Sequence, residues 1–512
     1  MSKRLFYWVL LPLGLIGIYI WAGIGTEFSF AELFGKSYRV LDQIGRMWPP
    51  DWDFLNQLWK PLQDSLRMAI LGTTLGALIS LPLIMLTTRT VTRELWIYYP
   101  ARLLMGVIRS IPDLLYAILF VAIFGIGPIA GIPVLMIFSA AIIAKMTSES
   151  ADNIDRGPIE ALEATGAGRL SIIFFAVIPQ ILPIFLSYAL YVLELNIRVA
   201  TILGFVGAGG IGDSLRIALE FLFSYPAIMT ISIVILAIVF VIDYVSGRFR
   251  QSLVEGKDLQ WWWKAGFGVV VVGGILWAAT SLQVDPERVS RGFANFGRIA
   301  GRVLSPDWSV LGMGIDKMIE SIQIALIGTT ISMFLAFPFG FVCANNLGFP
   351  KWLVYAFRQI PNLIRTFPEL ILAIFFIGAF GPGPFPGVMA LAFHSIGMLS
   401  RMNYEIVENI DRGPSEALNA IGAGRTLGFR FAVLPQVIPE FIAMALYRFE
   451  INVRAASVLG IVGAGGIGTL IYNASTGSRD YAALGTFLLV VIVFVGVIDI
   501  VSSWIRKKLI EG

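Results

Sequence analysis

The chain has 512 residues, of which 57% are apolar and only 14% are charged. Such a composition excludes an ordinary soluble protein of this length and favours many membrane spans. The net charge of +4 is better explained by basic cytoplasmic loops than by nucleic-acid binding. A single cysteine, Cys343, excludes an intrachain disulfide, and a single histidine, His394, argues against a histidine-built metal site.

Six apolar stretches in each half of the chain are long enough to cross a bilayer as helices. In the first half we predict spans near residues 5–24, 66–87, 103–125, 129–147, 177–203 and 226–247. In the second half we predict spans near residues 261–280, 322–343, 359–381, 385–403, 433–459 and 482–503. The expected fold is an all-α polytopic membrane protein with about 12 transmembrane helices.

The two halves are copies of one unit, since the numbers of matched landmarks such as Glu160 and Glu416 differ by 256. Between residues 190–212 and 446–468, 15 of 23 positions are identical. We therefore divide the chain into repeats 1–256 and 257–512. An even number of spans returns each repeat to its starting side. The repeats are thus expected to be parallel, related by a pseudo-twofold axis along the membrane normal. Clustered lysines and arginines predict that both termini are cytoplasmic.

Ionisable side chains inside spans cost roughly 2.5–3.5 kcal/mol each on insertion scales, so each is a functional candidate. Glu194 and Arg198 are four residues apart and can pair on one helix face, and Glu450 and Arg454 repeat this spacing. A structural ion pair and a place in a substrate pathway both remain open for these four residues.

Two matched segments, Arg109–Asp113 and Arg365–Glu369, surround a proline in the third span of each repeat. A kinked helix that exposes a cation and a hydroxyl group would suit an anionic substrate. The alternative is an arginine paired with the acid four residues later. The pathway candidates in these segments are Arg109, Ser110, Arg365 and Thr366.

His394 is the clearest break in the symmetry, because its counterpart in the first repeat is Phe138. A lone histidine is more often a hydrogen-bonded packing residue. Its imidazole can also donate and accept a hydrogen bond, so His394 is a further candidate for contact with an oxyanion.

The segment Gly207–Gly212 fits the dinucleotide-binding pattern GxGxxG, and Gly463–Gly468 repeats it. Neither copy lies in the strand–helix context with a following acid that a cofactor loop needs. We interpret both as tight turns of small residues between spans, near the outer mouth of a pathway. The chain also lacks the GxxxxGK[ST] pattern, so we expect no ATPase site and no enzyme activity in it.

A polar segment at residues 153–179, repeated at 409–435, separates the fourth and fifth spans. Each copy has a Gly-Pro start, a short helix-forming run and a Gly-Ala-Gly stop. Both segments, which we name the docking loops, resemble the EAA loop of importer-type ABC permeases. The resemblance implies a coupling helix that inserts into an ATPase subunit, with the matching residues Glu160, Ala161, Gly166, Glu416, Ala417 and Gly422.

The second half also resembles the phosphonate and phosphite ABC permease family. This resemblance is carried by residues 365–370, 391–399, 405–414, 447–454 and 458–468. It implies two type I importer permease repeats fused in one chain, transporting phosphonate, phosphite or phosphate across a bacterial or archaeal plasma membrane. It also implies an extracytoplasmic binding protein and two ATPase subunits that bind ATP-Mg, with no cofactor in the chain itself.

Two other functions remain open. An ABC permease for methionine or a quaternary amine would share the docking loops. A secondary transporter of six plus six spans would fit the parallel halves equally well, but it would not need a docking loop in each half.

Overall fold

The computed structural model describes residues 11–511, apart from positions 30, 32–34, 36, 93, 221, 223, 256–260 and 282–284. Within these residues all the regular secondary structure is helical, and no β-strand occurs among them. The expectation of an all-α protein is therefore confirmed.

The described part of the first half contains eleven helices. They are α1 (Leu11–Gly25), α2 (Ser37–Met47), α3 (Leu55–Thr87), α4 (Leu95–Ser110), α5 (Asp113–Phe124), α6 (Pro128–Ala151), α7 (Gly157–Ala164), α8 (Arg169–Ile172), α9 (Ile178–Leu203), α10 (Ile211–Glu220) and α11 (Tyr225–Glu255). A π-helical turn at Ile173–Val177 joins α8 to α9.

The second half repeats this order. Its helices are α12 (Trp261–Ser281), α13 (Pro286–Val303), α14 (Leu311–Val342), α15 (Lys351–Thr366), α16 (Glu369–Phe380), α17 (Pro384–Glu408), α18 (Gly413–Ala420), α19 (Arg425–Gly428), α20 (Leu434–Leu459), α21 (Gly468–Tyr472) and α22 (Tyr481–Glu511). A π-helical turn at Phe429–Val433 joins α19 to α20.

Seven helical stretches among the described residues are long and apolar enough to cross a membrane, and two bent helix pairs raise this number to nine. The predicted spans near 5–24 and 261–280 correspond to α1 and α12, whose apolar parts at Ile16–Gly25 and Gly268–Thr280 are shorter. Residues 1–10 lie outside the described residues. The chain is therefore a multi-pass membrane protein, and the expected total of about 12 spans remains a prediction.

The predictions of one kinked helix at 103–125 and another at 359–381 were wrong, because each region consists of two helices with a sharp break. α4 and α5 meet at 84°, and α15 and α16 meet at 86°. The residue before a proline is disfavoured in the helical conformation. Accordingly, Ile111 and Phe367 are extended, with ψ of 124° and 120°.

The two compact units of the structure do not coincide with the two sequence repeats. One compact unit runs from Arg46 to Arg302, and the other joins the residues up to Gly45 to those from Val303 onward. In the second unit, Gln323 on α14 donates to the Trp21 carbonyl on α1 at 3.2 Å. In the first unit, the Arg67 guanidinium on α3 lies 4.9 Å from the ring centroid of Trp277 on α12. The leading helix of each half thus packs with the body formed by the other half.

Each unit is crosslinked by a buried asparagine. The Asn196 side chain on α9 donates to Thr73 on α3 at 2.7 Å and to Ser139 on α6 at 2.6 Å. Its counterpart Asn452 donates to Thr329 at 2.8 Å and to Ser395 at 3.0 Å. Hydrogen bonds between membrane helices contribute on average about 0.6 kcal/mol each. In each unit these bonds connect three helices through the side chain of one asparagine.

A second matched contact ties the last helix of each half to the segment before the long second span. Thr230 donates to the Asp51 carbonyl at 2.8 Å, and Thr486 donates to the Asp307 carbonyl at 2.7 Å. The side chain of Asp307 also accepts a hydrogen bond from the Ser309 backbone at 2.9 Å. Hydrogen bonding to the side chain and to the backbone of Ser309 lowers the pKa of the Asp307 carboxyl below its usual value.

Candidate functional site

The docking loops present short helices with no buried residue. α7 and α18 each begin with a Gly-Pro pair, and no side chain of either is buried. After each helix a glycine adopts the left-handed conformation, with φ of +76° at Gly166 and +74° at Gly422. Such a glycine allows the chain to reverse at a helix end at little cost. All six residues that the resemblance assigned to docking are exposed, namely Glu160, Ala161, Gly166, Glu416, Ala417 and Gly422.

Each docking loop is bound to the helix that follows it through a glutamine. The Gln180 side chain on α9 accepts from the Asp155 backbone N–H at 3.1 Å and donates to the Asp155 carbonyl at 3.2 Å. Gln436 on α20 makes the same two bonds to Asp411, at 3.0 and 3.2 Å. Neither glutamine was predicted from the sequence, although their identical spacing from an aspartate in the two repeats was a usable signal.

A cleft of about 740 Å³ lies beside α7 in the first unit. Its lining is rich in charged side chains, including Arg89, Asp152, Arg156, Glu160 and Arg169. The lining therefore includes both a docking-loop helix and the connection between α3 and α4.

The two predicted ion pairs belong to larger clusters. Glu194 lies 3.9 Å from Arg198 on its own helix and 2.9 Å from Arg250 on α11. Arg198 also lies 3.5 Å from Asp243. The corresponding distances in the second unit are 2.8 Å for Glu450–Arg454, 2.9 Å for Glu450–Arg506 and 3.6 Å for Arg454–Asp499.

These clusters tie α9 to α11 and α20 to α22. Removing one member of a buried pair leaves an uncompensated charge, which typically costs about 3–5 kcal/mol. The geometry therefore favours the structural interpretation of Glu194, Arg198, Glu450 and Arg454, and their place in a substrate pathway remains a prediction.

Arg109 and Arg365 lie in the last turns of α4 and α15, immediately before the sharp breaks. Gly397 on α17 packs closely against the backbone of Arg365, since a Cβ at Gly397 would lie 2.8 Å from the Arg365 nitrogen. The Thr366 hydroxyl donates to the Leu363 carbonyl at 2.6 Å. The side chain of Ser110 lies outside the described residues. Both arginines are thus held at equivalent helix ends.

The His394 side chain on α17 is 10% exposed and bridges the break between α15 and α16. Its Nδ1 lies 2.9 Å from the Phe367 carbonyl oxygen, and its Nε2 lies 3.2 Å from a carboxylate oxygen of Glu369. A carbonyl oxygen only accepts hydrogen bonds, so Nδ1 carries a proton. The contact between Nε2 and Glu369 then needs one further proton, held by either the imidazole or the carboxyl group. The pair therefore carries no net charge as long as this contact exists.

Arg448 on α20 is a functional candidate that the sequence analysis missed. Its side chain is 2% exposed, and its Nε donates to the Ser395 hydroxyl at 2.9 Å. Its Nη2 is buried without a hydrogen-bond partner among the described residues. An unsatisfied buried group costs roughly 1–3 kcal/mol, and more if it is charged. The available signal was the mismatch with Val192, its apolar counterpart in the first repeat.

The glycine-rich segments form tight turns, as expected. Gly207, Gly209 and Gly210 all have positive φ, and the Gly127 backbone donates to the Gly207 carbonyl at 2.8 Å. In the second unit Gly383 donates to Gly463 at 2.9 Å. Since no strand occurs among the described residues, these turns lack the setting of a dinucleotide site. The structure also brings no group of metal-ligating side chains together within its described part.

Comparison with known proteins identifies the family. The model of the binding-protein-dependent transport system inner membrane component matches residues 72–257 and again residues 336–510. The chain is 34% identical to the phosphate-import permease protein PhnE of Mycolicibacterium smegmatis, over 94% of this chain and 92% of that protein. It is 36% identical to the phosphite transport system permease protein PtxC of Stutzerimonas stutzeri, over 50% of this chain and 94% of that protein.

Among solved structures, an inward-facing MetNI methionine ABC transporter aligns with 40% of this chain and 99% of its own, at 22% identity and a TM-score of 0.37. The sequence matches alone are decisive, because one family model fits both halves and one relative aligns along nearly the whole chain. The chain therefore belongs to the family of binding-protein-dependent transport system inner membrane components, the permease subunits of ABC importers.

Proposed function

We propose that this chain is the permease subunit of an ABC importer that moves a phosphorus oxyanion, either phosphonate, phosphite or phosphate, into the cytoplasm. The proposal is supported above all by the two exposed docking-loop helices, α7 and α18. The relatives of this chain are named phosphate and phosphite permeases. Arginines at equivalent helix ends, Arg109 and Arg365, suit an anionic cargo.

The docking loops would transmit movement of the ATPase subunits to the membrane spans. Movement imposed on α7 reaches α9 through the Asp155–Gln180 hydrogen bonds, and α9 is fixed to α11 by the Glu194–Arg250 contact. A rigid chain of contacts of this kind can convert closure of an ATPase pair into movement of helices. ATP-Mg would be bound by those partners, so the permease itself would need no cofactor and have no enzyme activity.

The proposed setting is a bacterial or archaeal plasma membrane with both termini cytoplasmic. A binding protein on the outer side would deliver the anion. An ABC permease for methionine or a quaternary amine is the alternative, and a secondary transporter is disfavoured because it has no use for two docking loops.

The identity of the cargo is tested by calorimetric titration of the cognate binding protein with methylphosphonate, phosphite, phosphate, methionine and choline. We expect at least one phosphorus oxyanion to bind at least about 100-fold more tightly than methionine or choline, equivalent to about 2.7 kcal/mol. Preferential binding of methionine or choline would contradict the proposed cargo.

One copy of this chain is expected to assemble with two ATPase subunits, because it carries two docking loops. Native mass spectrometry of the complex purified through a tag on this chain measures the composition directly. A complex containing two copies of this chain would contradict the prediction. A variant lacking the exposed residues Glu416 and Ala417 should shift the population toward complexes with a single ATPase.

Replacing both Arg109 and Arg365 with alanine is expected to reduce anion uptake more than either single change, because each arginine would attract the anion at one of two equivalent helix ends. We expect a loss of about tenfold in the double variant, equivalent to about 1.4 kcal/mol. ATPase copurification should be unchanged. The matched control is Arg291→Ala, since Arg291 is well exposed and contacts only neighbouring Glu287 and its backbone in the described structure. Equal uptake by the double variant and this control would assign both arginines a structural role.

A further inference from the structure

We propose that Arg448 binds the transported anion within the membrane, and that only the second half of the chain provides this site. The proposal rests on the proposed function and deepens it by naming the residue that contacts the cargo. The ligand class is a tetrahedral phosphorus oxyanion.

The first observation is a buried guanidinium group with free bonding capacity. The Arg448 side chain is almost completely buried, and Ser395 occupies only its Nε. Its Nη2 has no hydrogen-bond partner in the described part of the chain. A cation inside a membrane protein is normally paired or lines a substrate pathway. A guanidinium with an unused N–H edge is the group best suited to bind two oxygens of a phosphorus oxyanion.

The neighbouring acid does not neutralise Arg448 by direct pairing. Glu369 interacts with Arg448 electrostatically, but among the described residues its carboxylate forms an ion pair within 4 Å only with His394. The proton held between His394 and Glu369 makes that pair neutral overall. The titratable groups near Arg448 are Glu369, His394 and Tyr447. Because the His394–Glu369 pair is neutral, the positive charge of Arg448 is available to an anion.

The anion would reach the site from the side of Glu369. The Arg448 side chain is enclosed in this conformation, whereas a third of the Glu369 side chain is exposed, at 33%. Glu369 begins α16 directly after the sharp break that follows Arg365. An anion attracted by Arg365 would thus meet the His394–Glu369 pair next, and movement of α16 would open the way to Arg448.

The first half retains the surrounding polar network but lacks the site itself. Asn196, Thr73 and Ser139 reproduce the hydrogen bonds of the network around Ser395. However, Val192 replaces Arg448 and is fully buried, and Phe138 replaces His394. Val192 therefore shows that valine fits this helical environment. Because only the second repeat has Arg448 and His394, each chain would have a single anion site.

The test uses Arg448→Val, which installs the residue that the first repeat already accommodates, together with Arg448→Lys. Each variant is purified as the full complex with its ATPase subunits and reconstituted in liposomes with the binding protein. Uptake of labelled phosphate, phosphite and methylphosphonate is measured along with basal ATP hydrolysis. Binding of the labelled anions to the complex in detergent, without binding protein, is measured by scintillation proximity. Val192→Ala is the matched control.

We expect Arg448→Val to reduce maximal uptake and anion binding in detergent at least tenfold, with subunit composition unchanged. Arg448→Lys should retain part of both activities, because it keeps the charge without the planar pair of donors. Val192→Ala should remain within twofold of the original chain. Uptake and binding by Arg448→Val equal to those of the original chain would overturn the inference. Failure of both Arg448 variants to assemble would overturn it as well, because it would show a structural role. Absence of uptake of any phosphorus oxyanion by the unmodified complex would instead refute the proposed function.

Discussion

Replacing Gly166 and Gly422 together with valine is expected to reduce ATP-driven uptake at least tenfold while the chain still inserts normally into the membrane. Both glycines end the exposed docking-loop helices with positive φ. A β-branched residue in this conformation costs roughly 1–3 kcal/mol, and about 1.4 kcal/mol corresponds to a tenfold change. The loop relieves the strain by changing its path, which misplaces the helix that docks.

The expected effect comes from backbone conformation and not from a clash within this chain. A Cβ at Gly166 or Gly422 would meet nothing within 4 Å. The matched control is valine at Gly168 and Gly424, where a Cβ also meets nothing within 4 Å. Gly168 has a φ of −67°, which any residue adopts, so this control should lose little activity. Asparagine at Gly166 and Gly422 should restore part of the activity, because asparagine tolerates the left-handed conformation.

Three measurements decide the outcome, namely membrane abundance, ATPase copurification and ATP hydrolysis stimulated by the binding protein. We expect the first to be unchanged and at least one of the other two to fall. A single-loop variant should be nearly as impaired as the double variant if the two ATPase subunits close together. Normal transport by the double valine variant would refute the assignment of the docking loops.

Alanine at Gly460 is expected to destabilise the folded chain by about 3 kcal/mol. A Cβ there would lie 2.5 Å from the Gly465 carbonyl oxygen and 2.6 Å from the Thr469 backbone nitrogen. The first atom belongs to the glycine-rich turn and the second to the start of α21. Both are backbone atoms, so relief of the clash requires movement of the backbone. Overpacking of this kind typically costs about 1–3 kcal/mol and sometimes more. We expect a cost at the upper end of this range, because backbone atoms are crowded on two sides.

The matched control for this change is Gly496→Ala in α22, where a Cβ meets nothing within 4 Å. Alanine is also the better helix former there. Thermal unfolding of the detergent-solubilised chain, followed by size-exclusion chromatography, measures the effect. A midpoint for Gly460→Ala within about 2 °C of that for Gly496→Ala would contradict the prediction.

Much of the architecture follows from local sequence. Long apolar runs predicted the spans, and the Gly-Pro and Gly-Ala-Gly signals predicted α7 and α18, because proline and glycine act on the backbone directly. The breaks at Ile111 and Phe367 were expected only as kinks, since proline disfavours a helix at the preceding residue without fixing the angle that follows.

Partners distant in sequence could not be predicted in the same way. Glu194 was expected to pair with Arg198, four residues away, but its closer contact is Arg250 on another helix. The packing of α1 against the body of the other half also depends on tertiary contacts. Arg448 lies inside the predicted span 433–459, so it already met the criterion for an ionisable residue in a span, and the mismatch with Val192 in the first repeat marked it further.

Import of a phosphorus oxyanion is tested by uptake into liposomes that contain the reconstituted complex of this chain, its ATPase subunits and its binding protein. Liposomes containing ATP and Mg²⁺ are supplied with labelled phosphite, phosphate or methylphosphonate, with labelled choline and methionine as competing cargoes. We expect at least one phosphorus oxyanion to accumulate in a way that requires hydrolysable ATP and the binding protein, and we expect no accumulation of choline or methionine. Uptake that persists without the ATPase subunits, or that is confined to choline or methionine, would contradict this expectation.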